Sequence, residues 1–166
     1  MRKSTLLMSL LMLIGFSTIA AAQSKKSIVG TWKLVAVKST TLKGVVNPNA
    51  FGKGPTGFAT FTRTGRVSII MSNADRKLLS VPDRVAAPMK ERARAFATCI
   101  AYAGTYTVKG DTVILHIQAA TMQNWVNTNN YRHLQWDGPN RLSLTTRITL
   151  KGGVRQHIET TWVRVG

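Results

Sequence analysis

Residues 101–120 read AYAGTYTVKGDTVILHIQAA: two runs of β-forming side chains, Ala101 to Val108 and Thr112 to Ala120, broken by Lys109-Gly110-Asp111. A glycine beside an aspartate supplies the backbone conformation of a tight hairpin turn, so the two runs should pair antiparallel. The pattern continues downstream. Asn130 to Trp136 is followed by the turn Asp137-Gly138-Pro139-Asn140, Arg141 to Leu150 by the turn Lys151-Gly152-Gly153, and Val154 to Val165 closes the series. Upstream lie Ser27 to Lys38, then Gly57 to Thr62 and Arg66 to Ser72 joined through Arg63-Thr64-Gly65. These make eight short, sequential strands. Such a meander has two exposed edges unless it closes on itself, and closure removes both, so a barrel is favoured over a two-sheet sandwich.

Side-chain period assigns faces. Trp32, Leu34 and Ala36 fall on one side of the first strand, although Val35 and Val37 blur the alternation. Val67, Ile69 and Met71 form a clearer inward stripe. Residues 43–55 carry Gly44, Asn47-Pro48, Gly52 and Gly54-Pro55, the chemistry of a long, mobile loop. Between the third and fourth strands the period changes. Ser80-Val81-Pro82-Asp83 has capping-box spacing, and from Pro88 to about Cys99 the residues Met89, Ala93, Phe96 and Ile100 make one stripe of a helix opposed by Lys90, Glu91, Arg92 and Arg94. The expectation is one amphipathic helix packed over a side or end of the sheet; a lid or membrane-facing helix is the rival reading.

Residues 1–22 have the parts of a secretory signal: basic Arg2 and Lys3, an apolar run from Leu6 to Ile19, and Ala20-Ala21-Ala22 before Gln23. Ser9, Gly15, Ser17 and Thr18 dilute that run below what a spanning helix needs. The expected mature chain is residues 23–166, one exported domain, periplasmic or secreted, with no transmembrane span. The whole chain carries 23 basic and 6 acidic residues, a net charge of +17. The basic residues are scattered and match no recognition-helix or zinc pattern, so nucleic acid is not an expected partner; electrostatic association with an anionic envelope surface is compatible with the charge. Cys99 is the only cysteine and sits in an apolar run, where it reads as a buried small hydrophobe.

Signals for catalysis are sparse. His116, His133 and His157 lie on three different strands without ligand-pair spacing, and the six acidic residues fall mostly in turns or on the polar helix face. Glu159 lies mid-strand, opposite in face to Ile158, Thr160 and Trp162, and should point to solvent. No metal site, cofactor site or catalytic residue is assigned on this pattern.

Gly30-Thr31-Trp32 resembles the first-strand Gly-x-Trp of lipocalins. Ala101-Tyr102-Ala103-Gly104-Thr105-Tyr106, Asn124-Trp125-Val126-Asn127-Thr128, Arg132 and Trp162-Val163-Arg164 are similar to the blocks of the bacterial lipocalin-like domain family, over roughly residues 28 to 165. Asn127 stands where that pattern usually has glycine, and asparagine also tolerates a left-handed turn. The resemblance implies an all-β fold, an eight-stranded antiparallel lipocalin-like barrel with one amphipathic helix inserted between the third and fourth strands. Trp162 and Arg164 share a face, so pairing of the first and last strands would bring Arg164 over Trp32 and close the barrel through Trp32, Trp162 and Arg164. A barrel of this size is filled by side chains or holds one small ligand. The residues expected to line a ligand site are Phe61, Met71, Tyr106, Trp125, Tyr131 and His133. Arg132 is a further candidate, but Arg132 and His133 cannot both face inward. The expected function is binding of a small apolar or amphipathic molecule. A barrel enzyme of cyclase, isomerase or hydratase type and a ligand-free envelope protein are the alternatives.

Overall fold

The computed structural model describes residues 27–149 and 153–166. The expected leader lies outside the described residues, as do Lys151 and Gly152 of the last expected turn. The strands are β1 (Gly30–Thr41), β2 (Val46–Asn47), β3 (Thr56–Phe61), β4 (Arg66–Ser72), β5 (Cys99–Lys109), β6 (Thr112–Ala120), β7 (Asn129–Trp136), β8 (Arg141–Thr149) and β9 (Arg155–Arg164). One helix, α1 (Met89–Ala97), and a single 3₁₀ turn at Gln123–Trp125 complete the described elements. From β3 to β9 each strand pairs antiparallel with the next, β1 pairs with β3, and β1 also pairs with β9, which closes an eight-stranded barrel. The sandwich alternative is thereby excluded.

The position of the helix is a correction. It lies after β4, not between the third and fourth strands, because the loop of residues 43–55 contributes the two-residue strand β2, paired to Ser39 and Thr40 of β1. That loop is tied down through two adjacent residues: Ala50 N–H donates to Val37 O, and Phe51 O accepts from Ala74 N–H. The packing of α1 also differs from expectation. None of its residues is buried, and Met89 and Phe96 of the supposed inward stripe are 76% and 58% exposed. Ser80 caps no helix; its N–H and Oγ instead donate to Glu91 Oε2 at 2.8 and 3.0 Å, which holds the Glu91 carboxyl below the usual carboxylate range. Cys99 is half-buried rather than buried.

A bulge explains the blurred alternation of β1. Leu34 faces Trp162 and Ala36 faces Thr161, so Val35 is the extra residue. An extra residue switches the inward face from even to odd positions. Trp32 and Leu34 are buried before it, and Val37 and Ser39 after it, so Val37 and not Ala36 completes the stripe. Val67, Ile69 and Met71 face inward as expected.

One end of the barrel is plugged by aromatic side chains. Trp32 and Trp162 are each 1% exposed, Trp136 packs 6.0 Å from Trp32, and Phe61 meets Tyr106 edge-on at 5.0 Å. Trp32 Nε1 donates to Ile28 O and Trp162 Nε1 to Thr160 Oγ1, both at 2.8 Å, so neither buried indole N–H is orphaned. Arg164 lies over the Trp32 ring, its Cζ 4.2 Å from the centroid, and its two terminal nitrogens donate to Val29 O and Ser27 O. Gly30 is required beneath it. Its φ is +134°, and a Cβ there would stand 2.5 Å from the Arg164 guanidinium. Trp32→Ala should therefore lower the unfolding free energy by about 3–5 kcal/mol in denaturant titration. An unchanged midpoint would show that this end does not hold the fold together.

Candidate functional site

The opposite end of the barrel is not filled. A cavity of about 590 Å³ opens there. Most of its walls come from inward positions of the strands: Val37 and Ser39 beyond the β1 bulge, Ile69 and Met71 from β4, Ile100 and Tyr102 from β5, and Leu144 and Thr146 from β8. Ile158, Thr160 and Trp162 of β9 continue the wall, so Trp162 is both plug and cavity floor. Asn47, Ala50 and Phe51 of the first loop line its rim. Trp125 approaches from the turn before β7 and meets the Tyr102 ring edge-on at 5.6 Å. That turn ends on Asn127 with φ +63°, the left-handed conformation expected of it.

The wall of β7 decides the polarity of the site. Asn130 and Arg132 point into the cavity, while Leu134 and Trp136, two and four residues further on, continue the same face toward the plug. Arg132 Nη1 donates to Thr146 Oγ1 at 2.7 Å and to Tyr131 O at 3.1 Å. Asn130 Nδ2 is buried and has no hydrogen-bond partner. Arg132 and Arg147 are the charged side chains among the described residues lining the cavity, and none of those residues is acidic.

The structure separates the six side chains expected to line a ligand site. Met71 and Trp125 line the cavity. Phe61 and Tyr106 lie in the barrel interior but at the plugged end, where the Tyr106 hydroxyl donates to Thr62 O at 2.9 Å. Tyr131 and His133 occupy the outer face of β7; Tyr131 is 58% exposed, and His133 Nδ1 lies 3.4 Å from Asp111 Oδ2. The deciding signal was in the sequence: Leu134 and Trp136 give the even positions of this strand the apolar character of an interior face, which carries Asn130 and Arg132 inward with them. The rim residues Asn47, Ala50 and Phe51 had no periodic signal because they come from a loop.

The other imidazoles also lie away from the cavity. His116 makes hydrogen bonds with Asn129 and Thr107, and His157 pairs on the outward side with Thr40 and Arg147. Glu159 forms a surface ion pair with Lys38 at 2.9 Å. Among the described residues no group of three or more His, Cys, Asp or Glu comes together to hold a metal ion.

A closed antiparallel barrel with an aromatic plug under an arginine and one open end is a calyx, and comparison with known families agrees. The lipocalin-like domain family matches residues 29–165, and the chain belongs to that family. No curated protein matches it. Among solved structures it is similar to a redesigned β-barrel at 17% identity, covering 83% of this chain and 91% of that one, with a TM-score of 0.39. It is likewise similar to EF1p2_mFAP2b bound to DFHBI at 16% identity, covering 82% and 93%, with a TM-score of 0.39. A de novo designed fluorescence-activating β-barrel is 12% identical, with 82% and 93% covered and a TM-score of 0.37.

Burial raises the Tyr106 hydroxyl above its ordinary value near 10. The folded state therefore keeps this proton at a pH where the unfolded chain has released it, and the stabilisation it contributes is lost as pH rises above the ordinary value toward the raised one. A phenolate absorbance titration of the folded protein should show a late ionisation that Tyr106→Phe removes; its survival in that variant would contradict the assignment.

Proposed function

We propose that this protein is an exported carrier or receptor that binds a small apolar or amphipathic molecule in the open end of the barrel. The observation that carries the reading is the cavity of about 590 Å³, walled by Val37, Ile69, Met71, Ile158 and the rings of Phe51 and Trp125. Its volume falls within the range of small-molecule sites, and its composition is theirs: apolar walls with few polar groups. No histidine or carboxylate stands among its described lining residues. That supports binding over the acid–base chemistry of a cyclase, isomerase or hydratase, which requires a positioned proton donor or acceptor. The size of the cavity speaks against the envelope protein with a filled interior. Export rests on the leader composition of residues 1–22.

A contact with an anionic envelope surface has its own support. Around α1 the exposed apolar side chains Leu78, Val85, Met89 and Phe96 stand among Lys77, Arg84, Lys90 and Arg92. Apolar insertion combined with basic charge is the chemistry of interfacial binding. Among the described residues no helix is long and apolar enough to cross a membrane.

Two measurements check these readings. A neutral polarity-sensitive dye should bind with one-to-one stoichiometry and lose its signal in Ile158→Trp, which fills the cavity from its wall; equal binding by that variant would place the dye elsewhere. Co-sedimentation should be stronger with anionic than with zwitterionic vesicles and should fall in Met89→Ser/Phe96→Ser. If the double variant sediments like the parent, α1 is not the contact.

A further inference from the structure

We infer that the cavity is built for an amphipathic ligand bearing an anionic head group, carboxylate, sulfate or phosphate, which is held by Arg132 and Asn130 while its apolar portion lies against Ile69, Met71 and Ile158. The inference rests on the binding function proposed above and specifies its ligand.

The argument begins with what is left unpaired. A guanidinium offers five N–H donors in a planar fork. Arg132 uses Nη1 for Thr146 Oγ1 and Tyr131 O, and its remaining nitrogens meet no acceptor among the described residues. It has no carboxylate partner there either, although the surface arginine Arg141 has one in Asp137. A cation drawn into an apolar barrel without a counter-charge is unfavourable unless something else supplies that charge.

The second observation is independent of charge. Asn130, two residues before Arg132 on the inward face of β7, has its Nδ2 buried and without a partner. Buried side-chain polar atoms are paired in the large majority of cases, so an orphaned donor on a residue that lines the cavity marks a position where an acceptor belongs, met once the amide turns toward the opening. Asn130 Nδ2 and the remaining nitrogens of Arg132 therefore both lack an acceptor. An anionic head group has the several lone pairs needed to satisfy both at once, and its hydrogen bonds with a guanidinium are charge-assisted and often bidentate. With no acidic side chain among the described lining residues, nothing opposes the anion, and Arg147, exposed on the neighbouring strand β8 at the mouth, adds a second positive charge beside the opening.

The test measures displacement of the neutral dye by four ligands sharing one ten-carbon chain: decanoate, decyl sulfate, decyl phosphate and decanol. At least one anion should bind about ten- to a hundredfold more tightly than decanol, and the tightest of the three identifies the head group. Arg132→Met, which retains the length and apolar stem of the side chain, should abolish that preference, so that the variant binds the tightest anion no better than decanol. Asn130→Asp, which supplies Arg132 with an internal carboxylate, should abolish it as well. Arg66→Met removes the same charge from the outer face and should preserve it, which separates the site from the general effect of net charge. Equal affinities for decanol and all three anions, or a preference that survives in Arg132→Met, would overturn the inference and leave cavity binding intact. If neither the dye nor any of the four ligands binds the parent protein, the binding function falls and this inference with it.

Discussion

A sheet becomes a barrel only where its first and last strands meet, and here that meeting is organised around the indole of Trp32 beneath the guanidinium of Arg164. Every pairing from β3 to β9 joins neighbours in sequence and is closed by a short connection, apart from the longer segment that carries α1. The seam is different: the bond from Arg164 to Val29 spans 135 positions. Loop-closure entropy rises only slowly with length, so such a contact is affordable provided that it is strong once formed. Several interactions meet at this point. The ring face takes the cation, both terminal nitrogens of Arg164 hold main-chain carbonyls, and Val165 N–H donates to Thr31 O at 2.9 Å. Without this seam β1 and β9 would be free edges, with unpaired N–H and C=O groups open to other chains.

Closure also divides the interior into two chemistries. Toward the seam's plugged end the inward positions carry Trp32, Phe61, Leu142 and Trp162, all about 1% exposed, and their rings occupy the volume. Toward the mouth the corresponding positions carry Ser39, Asn130, Thr146 and Gln156, side chains too small or too polar to fill the same cross-section. The strands continue at constant spacing while the side chains shrink, and the cavity is the difference. Gly104 belongs to the construction of the wall: it lies where the β5–β6 register shifts, and a Cβ there would collide with the carbonyl oxygen of His116.

Much of this was legible in the chain. Turn glycines such as Gly65, Gly110 and Gly138 all adopt positive φ, and their spacing sufficed to identify hairpins and hence a meander. Gly30-Thr31-Trp32 and Trp162-Val163-Arg164 located the closure because the residues that make it are chemically distinctive. The mouth was harder to read. On β7 the conspicuous side chains Tyr131 and His133 suggested an interior face, yet the alternation of Leu134 and Trp136 places them outside. Phe51 reaches the cavity from a loop, where no period relates sequence to direction. For α1, amphipathicity correctly indicated a helix but not its burial: an apolar stripe states what a helix can cover, and the rest of the fold decides whether anything is placed beneath it.

The extra residue at Val35 has a consequence for how uniquely the barrel closes. In a uniform ladder, sliding one strand by two residues restores the in–out alternation, so slipped closures compete with the native one. With the bulge present the two halves of β1 are out of phase: Trp32 and Leu34 must meet one stretch of β9, and Val37 and Ser39 another, with a single unpaired residue between them. Any slide carries Val35 away from the step between Trp162 and Thr161 that it now faces, and carries Trp32 away from Arg164. The bulge thus acts as a key in a lock, giving a seam between two otherwise repetitive strands only one alignment in which it can shut.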